Sequence, residues 1–327
     1  MAGDNMRFSN LNGITAREAM GLPAEVVCRT IQPPLSRFSE LRFESPTSLA
    51  LIAERSSEEF ERRYAAGLLM GLVGDPRISL MDPMMIDVPG GFVQLGLDSG
   101  EVDEVVQTWG TFGVQRHWIV KECPRYETYL KPYRIAKYLV TNIEYLEFLE
   151  DSKSLELPTA WQFGVFPVMM SNHPVWTVTP EAADAYVNWL SARTGRNFRL
   201  PTESEWEHAA CGHDEREYPW GDSYDPWRAN TVEAGPLQTT PVGIYPNGVS
   251  YFGLMDMAGN VEEIVADRYA PYPAGALITD DLGTEGSYRI VRGGSFTRHG
   301  DLARCRRRHG WYSREIYAIG FRIAEDD

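Results

Sequence analysis

The sequence predicts an α+β fold, loop-rich with short β-strands and few helices, behind a short N-terminal helical segment. Three observations carry this. One amphipathic helical pattern stands before residue 82, short apolar runs broken by Gly, Pro and Asn begin at Met84, and helical periodicity nearly vanishes after Cys211. The boundaries that follow are an N-terminal arm and helical segment over 1–82 and a larger domain over 83–327.

Composition narrows the function. Of 327 residues, 43% are apolar and 24% charged, as in folded soluble chains. No apolar run approaches the roughly 18 residues of a membrane span, and the N-terminus has no basic stretch followed by an apolar core. A cytoplasmic protein without membrane contact is therefore expected. The formal charge of −15 repels polyanions, so a nucleic-acid partner is not expected. Cys28, Cys123, Cys211 and Cys305 form no C-x-x-C pair, which argues against a disulfide framework or a zinc ribbon.

The first fifty residues read as an irregular arm. Ser56 and Glu59 then suggest a capping box, with Phe60, Tyr64, Leu68 and Leu72 on one helical face and Gly74-Asp75-Pro76 as the stop. Gly67 and Gly71 beside that stripe imply close packing, and docking of a partner by this helix is a further option. MMIDVPGGFVQLG reads as a hairpin turning at Pro89-Gly90-Gly91, and YRIAKYLV as a strand. Capping signals at Thr141/Glu144, Thr179-Pro180 and Thr202/Glu205 open three helices, burying Tyr145, Phe148 and Leu149, then Ala182, Tyr186, Trp189 and Leu190, then Trp206 and Ala210. The loops beyond Cys211 need something besides helix packing to pin them, and a hard cation is one candidate.

The pieces FRLPTESEWEHAA, YPWGD, GLMDMAGNVEE, VRGGSF and IGFRIA occur in that order. Together with YRIAKYLVTNIEYLEFL and HPVWTVTPEAADAYVNWLS, they make the chain from about Met84 to Ala324 resemble the formylglycine-generating enzyme family, or sulfatase-modifying factor domain. The resemblance implies a C-type-lectin-like fold. It also implies a choice of activities: copper oxidases that make formylglycine, iron-dependent sulfoxide synthases, and binding proteins diversified by retroelements.

Departures from the family pattern decide among them. The two thiols expected after the GGS motif are replaced by Arg298 and Ala303, while Ser295 is kept. Soft Cu(I) needs thiolate ligands, so copper-dependent formylglycine synthesis is not expected. The pocket tryptophan of the family is replaced by Glu262. Glu262, Ser295, Arg298 and His299 are thus the candidate catalytic residues. Glu262 with His299 and His309 would suit Fe(II), whereas the competing reading pairs Arg298 with Glu262 and leaves the histidines solvated. By resemblance, the Asp256 and Glu263 carboxylates and the Gly259 and Val261 carbonyls would hold Ca²⁺, against the alternative of a solvated acidic turn. A second family calcium site, beginning at Asn230, lacks an expected aspartate.

Residues 304–314 are basic and aromatic in an acidic chain. Arg304, Arg306, Arg308, His309, Trp311 and Tyr312 are candidate ligand-binding residues for an oxyanion or acidic peptide, or else a strand offsetting acidic neighbours. Trp220 and Trp227 would line the same face. The expected function is a non-copper-thiolate oxidoreductase, iron being the candidate metal, that modifies a peptide or small amine-bearing substrate. The alternative is a non-catalytic, retroelement-diversified type of protein binding a peptide or small molecule through residues 296–319.

Overall fold

The computed structural model describes residues 14–27, 35–279, 287–314 and 316–326. Cys28 and the Pro33-Pro34 pair lie outside the described residues. The N-terminal stretch is more ordered than expected: α1 (Ala16–Ala19), a 3₁₀ stretch over Leu35–Phe43 and α2 (Pro46–Ala53) precede α3 (Phe60–Val73). Ser45 caps α2, with Pro46 preset at its first position.

α3 differs from expectation in its start and its face. Its N-cap is Glu59, with no side-chain cap bond, so the Ser56 capping box does not form. The buried stripe runs through Tyr64, Gly67, Met70 and Gly71, whereas Leu72 is exposed. The glycines explain the rotation. A Cβ at Gly67 would lie 2.8 Å from Pro241, and one at Gly71 would lie 2.8 Å from Asn172 Oδ1. The buried face of α3 is seated on its own chain. There Asn172 donates to Gly67 O and Arg63 to Ile244 O.

The larger domain continues with β1 (Met85–Val88), β2 (Gly91–Leu95), α4 (Val102–Trp109), α5 (Arg116–Val120), β3 (Tyr126–Leu130) and β4 (Tyr133–Ala136). Next come α6 (Asn142–Ser152), α7 (Pro180–Thr194), β5 (Phe198–Arg199) and α8 (Glu203–Cys211). β6 (Glu262–Arg268), β7 (Arg289–Arg292), β8 (His309–Gly310), β9 (Ile319–Gly320) and β10 (Ala324–Asp326) complete it. The expected hairpin is absent: β1 joins a sheet ordered β1-β4-β10-β5, while β2 pairs with β3 alone. Gly90 makes the crossover, because a side chain there would strike the Leu130–Pro132 backbone at 2.5 Å. The third sheet, ordered β8-β7-β6-β9, is antiparallel except for β6 and β9.

Thr141 and Thr202 form capping boxes with Glu144 and Glu205, and Thr179 caps α7. Tyr145 and Phe148 of α6 meet Tyr186 of α7 and Phe321 in the main core. No helix among the described residues is long and apolar enough to cross a membrane.

Buried arginines pin the loops beyond α8. Arg292 reaches Glu207 and the carbonyls of Cys305 and Arg306. Arg308 pairs in bidentate fashion with Glu203 at 2.8 Å and binds the carbonyls of Lys121 and Ala270. Arg322 does the same with Glu263 and with the carbonyls of Ala136 and Met255. A planar fork that satisfies a carboxylate and several orphan carbonyls together can order irregular chain without secondary structure.

Candidate functional site

Two turns build the site. Gly293 and Gly294 take positive φ (88° and 68°). A side chain at Gly293 would meet Met257 O and the Trp206 ring at 3.0 Å. This tight turn docks on the 255–261 loop: Gly259 N donates to Gly293 O (2.8 Å), and Phe296 N donates to Asn260 O (3.1 Å). β6 begins at Glu262, directly after that loop, so the residues following Ser295 are brought against its carboxylate.

Glu262 is wholly buried. Its Oε1 accepts from Arg298 Nε at 3.0 Å; its Oε2 accepts from His309 Nδ1 at 2.6 Å and from the Tyr317 hydroxyl at 3.1 Å. Arg298 Nη2 in turn donates to the Tyr312 hydroxyl at 2.9 Å. Burial works against ionisation of Glu262, but the hydrogen bond from His309 and the charge and hydrogen bond of the Arg298 guanidinium outweigh it and hold the carboxyl down at about 2. Burial also pulls His309 below the ordinary imidazole value despite Glu262, favouring a neutral ring that donates from Nδ1.

The remaining candidates lie elsewhere. Ser295 is buried and its hydroxyl meets Thr297, 3.0 Å away. His299 turns toward Glu233, with Nδ1 3.5 Å from Oε1, and its ring packs against Phe112 at 4.5 Å. The Glu262, His299 and His309 set expected for Fe(II) is thus not assembled. Among the described residues no three His, Cys, Asp or Glu side chains are grouped to hold a metal. The competing expectation, Arg298 paired with Glu262, describes the geometry, except that neither histidine is freely solvated: His309 is buried and His299 is half-buried against Phe112.

The calcium set is likewise committed to other partners. Glu263 Oε2 accepts from Arg322 Nε (2.6 Å) and Trp206 Nε1 (2.9 Å), and Oε1 accepts from Arg322 Nη2 (2.7 Å). Asp256 Oδ2 accepts from Gly243 N at 2.7 Å, and burial raises its carboxyl to about 6. Gly259 and Val261 stand between them, with Gly259 bridged to Asn230. A cation there would share Glu263 with the Arg322 guanidinium, so these residues as arranged do not fit Ca²⁺.

The basic segment also departs from the expected oxyanion site. Arg304 pairs with Glu122 and Glu217, Arg306 with Glu217, and Arg308 with Glu203. These forks are spent inside the protein. Trp311 and Tyr312, with Tyr317 and Arg314, instead line a cavity of about 100 Å³. Trp220 belongs to the aromatic group around Tyr218, and Trp227 is exposed. Sequence reasoning missed Tyr317 and the carboxylates Glu122, Glu203 and Glu217. Tyr317 lay within the expected binding face just before IGFR, but nothing local marks the carboxylates.

A lectin-like, loop-rich scaffold with a buried carboxylate–guanidinium pair beside its Gly-Gly-Ser turn defines the class. The chain belongs to the family of the sulfatase-modifying factor enzyme 1-like domain, which matches residues 74–327. It is 29% identical over 247 residues to a hercynine oxygenase of Mycolicibacterium smegmatis, covering 64% of this chain and 53% of that one. It is 41% identical over 145 residues to the formylglycine-generating enzyme of Streptomyces coelicolor, covering 39% and 43%. With the inactive Cα-formylglycine-generating enzyme 2 of Mus musculus it shares 30% identity over 251 residues, 62% of this chain and 76% of that one. The chain therefore spans about half the length of the first two relatives. Among solved structures, PvdO from Pseudomonas aeruginosa matches with a TM-score of 0.58 at 26% identity, over 75% of this chain and 94% of that one. Treponema denticola variable protein 1 matches with a TM-score of 0.56 at 20% identity, over 74% and 94%, which bears on the fold alone.

Proposed function

We propose that the chain is a ligand-binding member of this family, recognising a peptide side chain or a small molecule through the 296–319 segment. The observation that carries this reading is the direction of the hydrogen bonds at Tyr312. Its hydroxyl accepts from Arg298, so its own proton remains to be donated, and Tyr312 lines the cavity beside Trp311. A guanidinium behind an O–H strengthens it as a donor toward an incoming carbonyl or carboxylate oxygen. Glu262, His309 and Tyr317 hold Arg298 in place, so the donor is set before the ligand arrives. The name of the mouse relative, an inactive member, supports use of the scaffold without oxidation chemistry.

Calorimetry with N-acetylated amino acids and short peptides tests this. A binder should lose about tenfold in affinity in Tyr312→Phe, the worth of one charge-assisted hydrogen bond, in a variant that stays folded although Arg298 Nη2 loses an acceptor. Undiminished affinity in the variant, or no binding by any carbonyl or carboxylate probe, contradicts the reading.

A second reading, an iron-dependent oxidoreductase acting on an amine-bearing substrate, is favoured by the relatives named hercynine oxygenase. It requires donors for iron beyond Glu262 and His309. Oxygen consumption on adding Fe(II) and candidate substrates distinguishes it from binding alone.

A further inference from the structure

A second cavity, of about 480 Å³, shares no lining residue with the one beside Tyr312. One face of α4 forms a wall of it: Glu101, Glu104, Val105, Thr108 and Trp109 recur at helical spacing. Aromatic rings stand across from them. Trp109 meets Tyr224 edge-on at 5.4 Å, and Tyr224 meets Tyr218 at 5.4 Å.

The charges on this lining are unequally satisfied. Arg125 pairs with Glu215, Arg304 with Glu122 and Glu217, and Arg306 with Glu217. These arginines and their carboxylates neutralise one another within the wall. Asp98, Glu101, Glu104 and Asp222 also line the cavity, and among the described residues none of them has an arginine or lysine paired to it. Their uncompensated negative charge faces a space bordered by aromatic rings, in a chain of formal charge −15. Carboxylates attract a cation at a distance, and aromatic faces receive one on contact, the more favourably where water is partly displaced. An anion would be repelled by the carboxylates, and the arginines that could attract it are already paired.

We propose that this cavity is a binding site for an organic cation bearing a guanidinium or ammonium head, such as a basic side chain or a free amine. The head lies against Glu101 and Glu104, and the flat or apolar part lies against Trp109 and Tyr224. The site is independent of the one beside Tyr312, so either can fail without the other.

Titration calorimetry at low salt with arginine amide, its neutral counterpart citrulline amide and inorganic phosphate tests the proposal. Arginine amide should bind, citrulline amide at least about tenfold more weakly, and phosphate not at all. Glu101 and Glu104 are exposed, so the double variant Glu101→Gln/Glu104→Gln should keep its melting temperature while losing about tenfold in affinity for arginine amide. Tyr312→Phe should leave this binding unchanged. Equal binding of the neutral probe, undiminished affinity in the double variant, binding of phosphate in place of the cation, or no binding of arginine amide at about 1 mM overturns it.

Discussion

Arg298 donates from Nε to Glu262 Oε1 at 3.0 Å, and the carboxylate it reaches is wholly buried. The two residues are 36 positions apart and stand where the resemblance to the oxidases leads one to expect a thiol and an indole. The charge pair at these positions is completed by His309, Tyr317 and Tyr312.

Removing one partner should be costly. Arg298→Ala leaves Glu262 buried without its guanidinium and should lower unfolding stability by about 3–5 kcal/mol in urea titration. Replacing both members with similar-sized apolar residues, as in Arg298→Met/Glu262→Leu, should recover much of that loss, because the desolvation cost disappears with the charges.

Asp256 gives a pH signature. Its folded carboxyl is raised to about 6 by burial, against an ordinary value of 3.8. A raised acid stabilises the fold when protonated, and this contribution fades as pH rises from about 4 through 6. Asp256→Asn keeps an acceptor for Gly243 N and cannot ionise. Its stability relative to the unsubstituted protein should therefore be more favourable at about pH 7.5 than at pH 5, by about 1 kcal/mol, in paired urea titrations. A constant difference between the two proteins would remove this account of Asp256.

Glu263 and Arg322 determine the response to calcium. With both Glu263 oxygens held by the guanidinium, millimolar Ca²⁺ or its removal with EDTA should leave the melting temperature unchanged in a thermal scan. A calcium-dependent rise would show that the cation enters the 256–263 loop after all.

Gly67 tests the seat of α3. A methyl group there would press on Pro241 at 2.8 Å, and the proline ring cannot swing aside. Gly67→Ala should cost about 1–3 kcal/mol, despite the better helix propensity of alanine, whereas Leu72→Ala on the exposed face should stay within about 0.5 kcal/mol.

The parts of the fold legible in the sequence are those with local signals. Thr141 with Glu144, Thr202 with Glu205, and Thr179-Pro180 each place a helix start through residues three or fewer apart. The ordered set of motifs carried the lectin-like scaffold. The hairpin at Pro89-Gly90-Gly91 was misread because alternation reveals strands but not their partners, and β1 and β2 pair in different sheets. α4 was overlooked although Val102, Val105, Val106 and Trp109 follow a helical spacing, since no capping residue marks its start. For the site, the replaced family positions drew attention to Glu262 and Arg298, and the 304–314 segment suggested an anion site. Its carboxylate partners lie far off in the chain, Glu122 being 182 residues from Arg304, so no local pattern could show that those arginines were already engaged.

The central claim is that Arg298 and Glu262 are committed to each other, so that neither Glu262 nor its partner His309 is offered to a redox metal. Diffraction at the iron and copper edges, from crystals soaked anaerobically in Fe(II) or Cu(I), tests it most directly. The account predicts an intact Arg298–Glu262 contact with no anomalous peak at bonding distance from Glu262 or His309. A metal ligated by those two side chains, with Arg298 displaced, would contradict it.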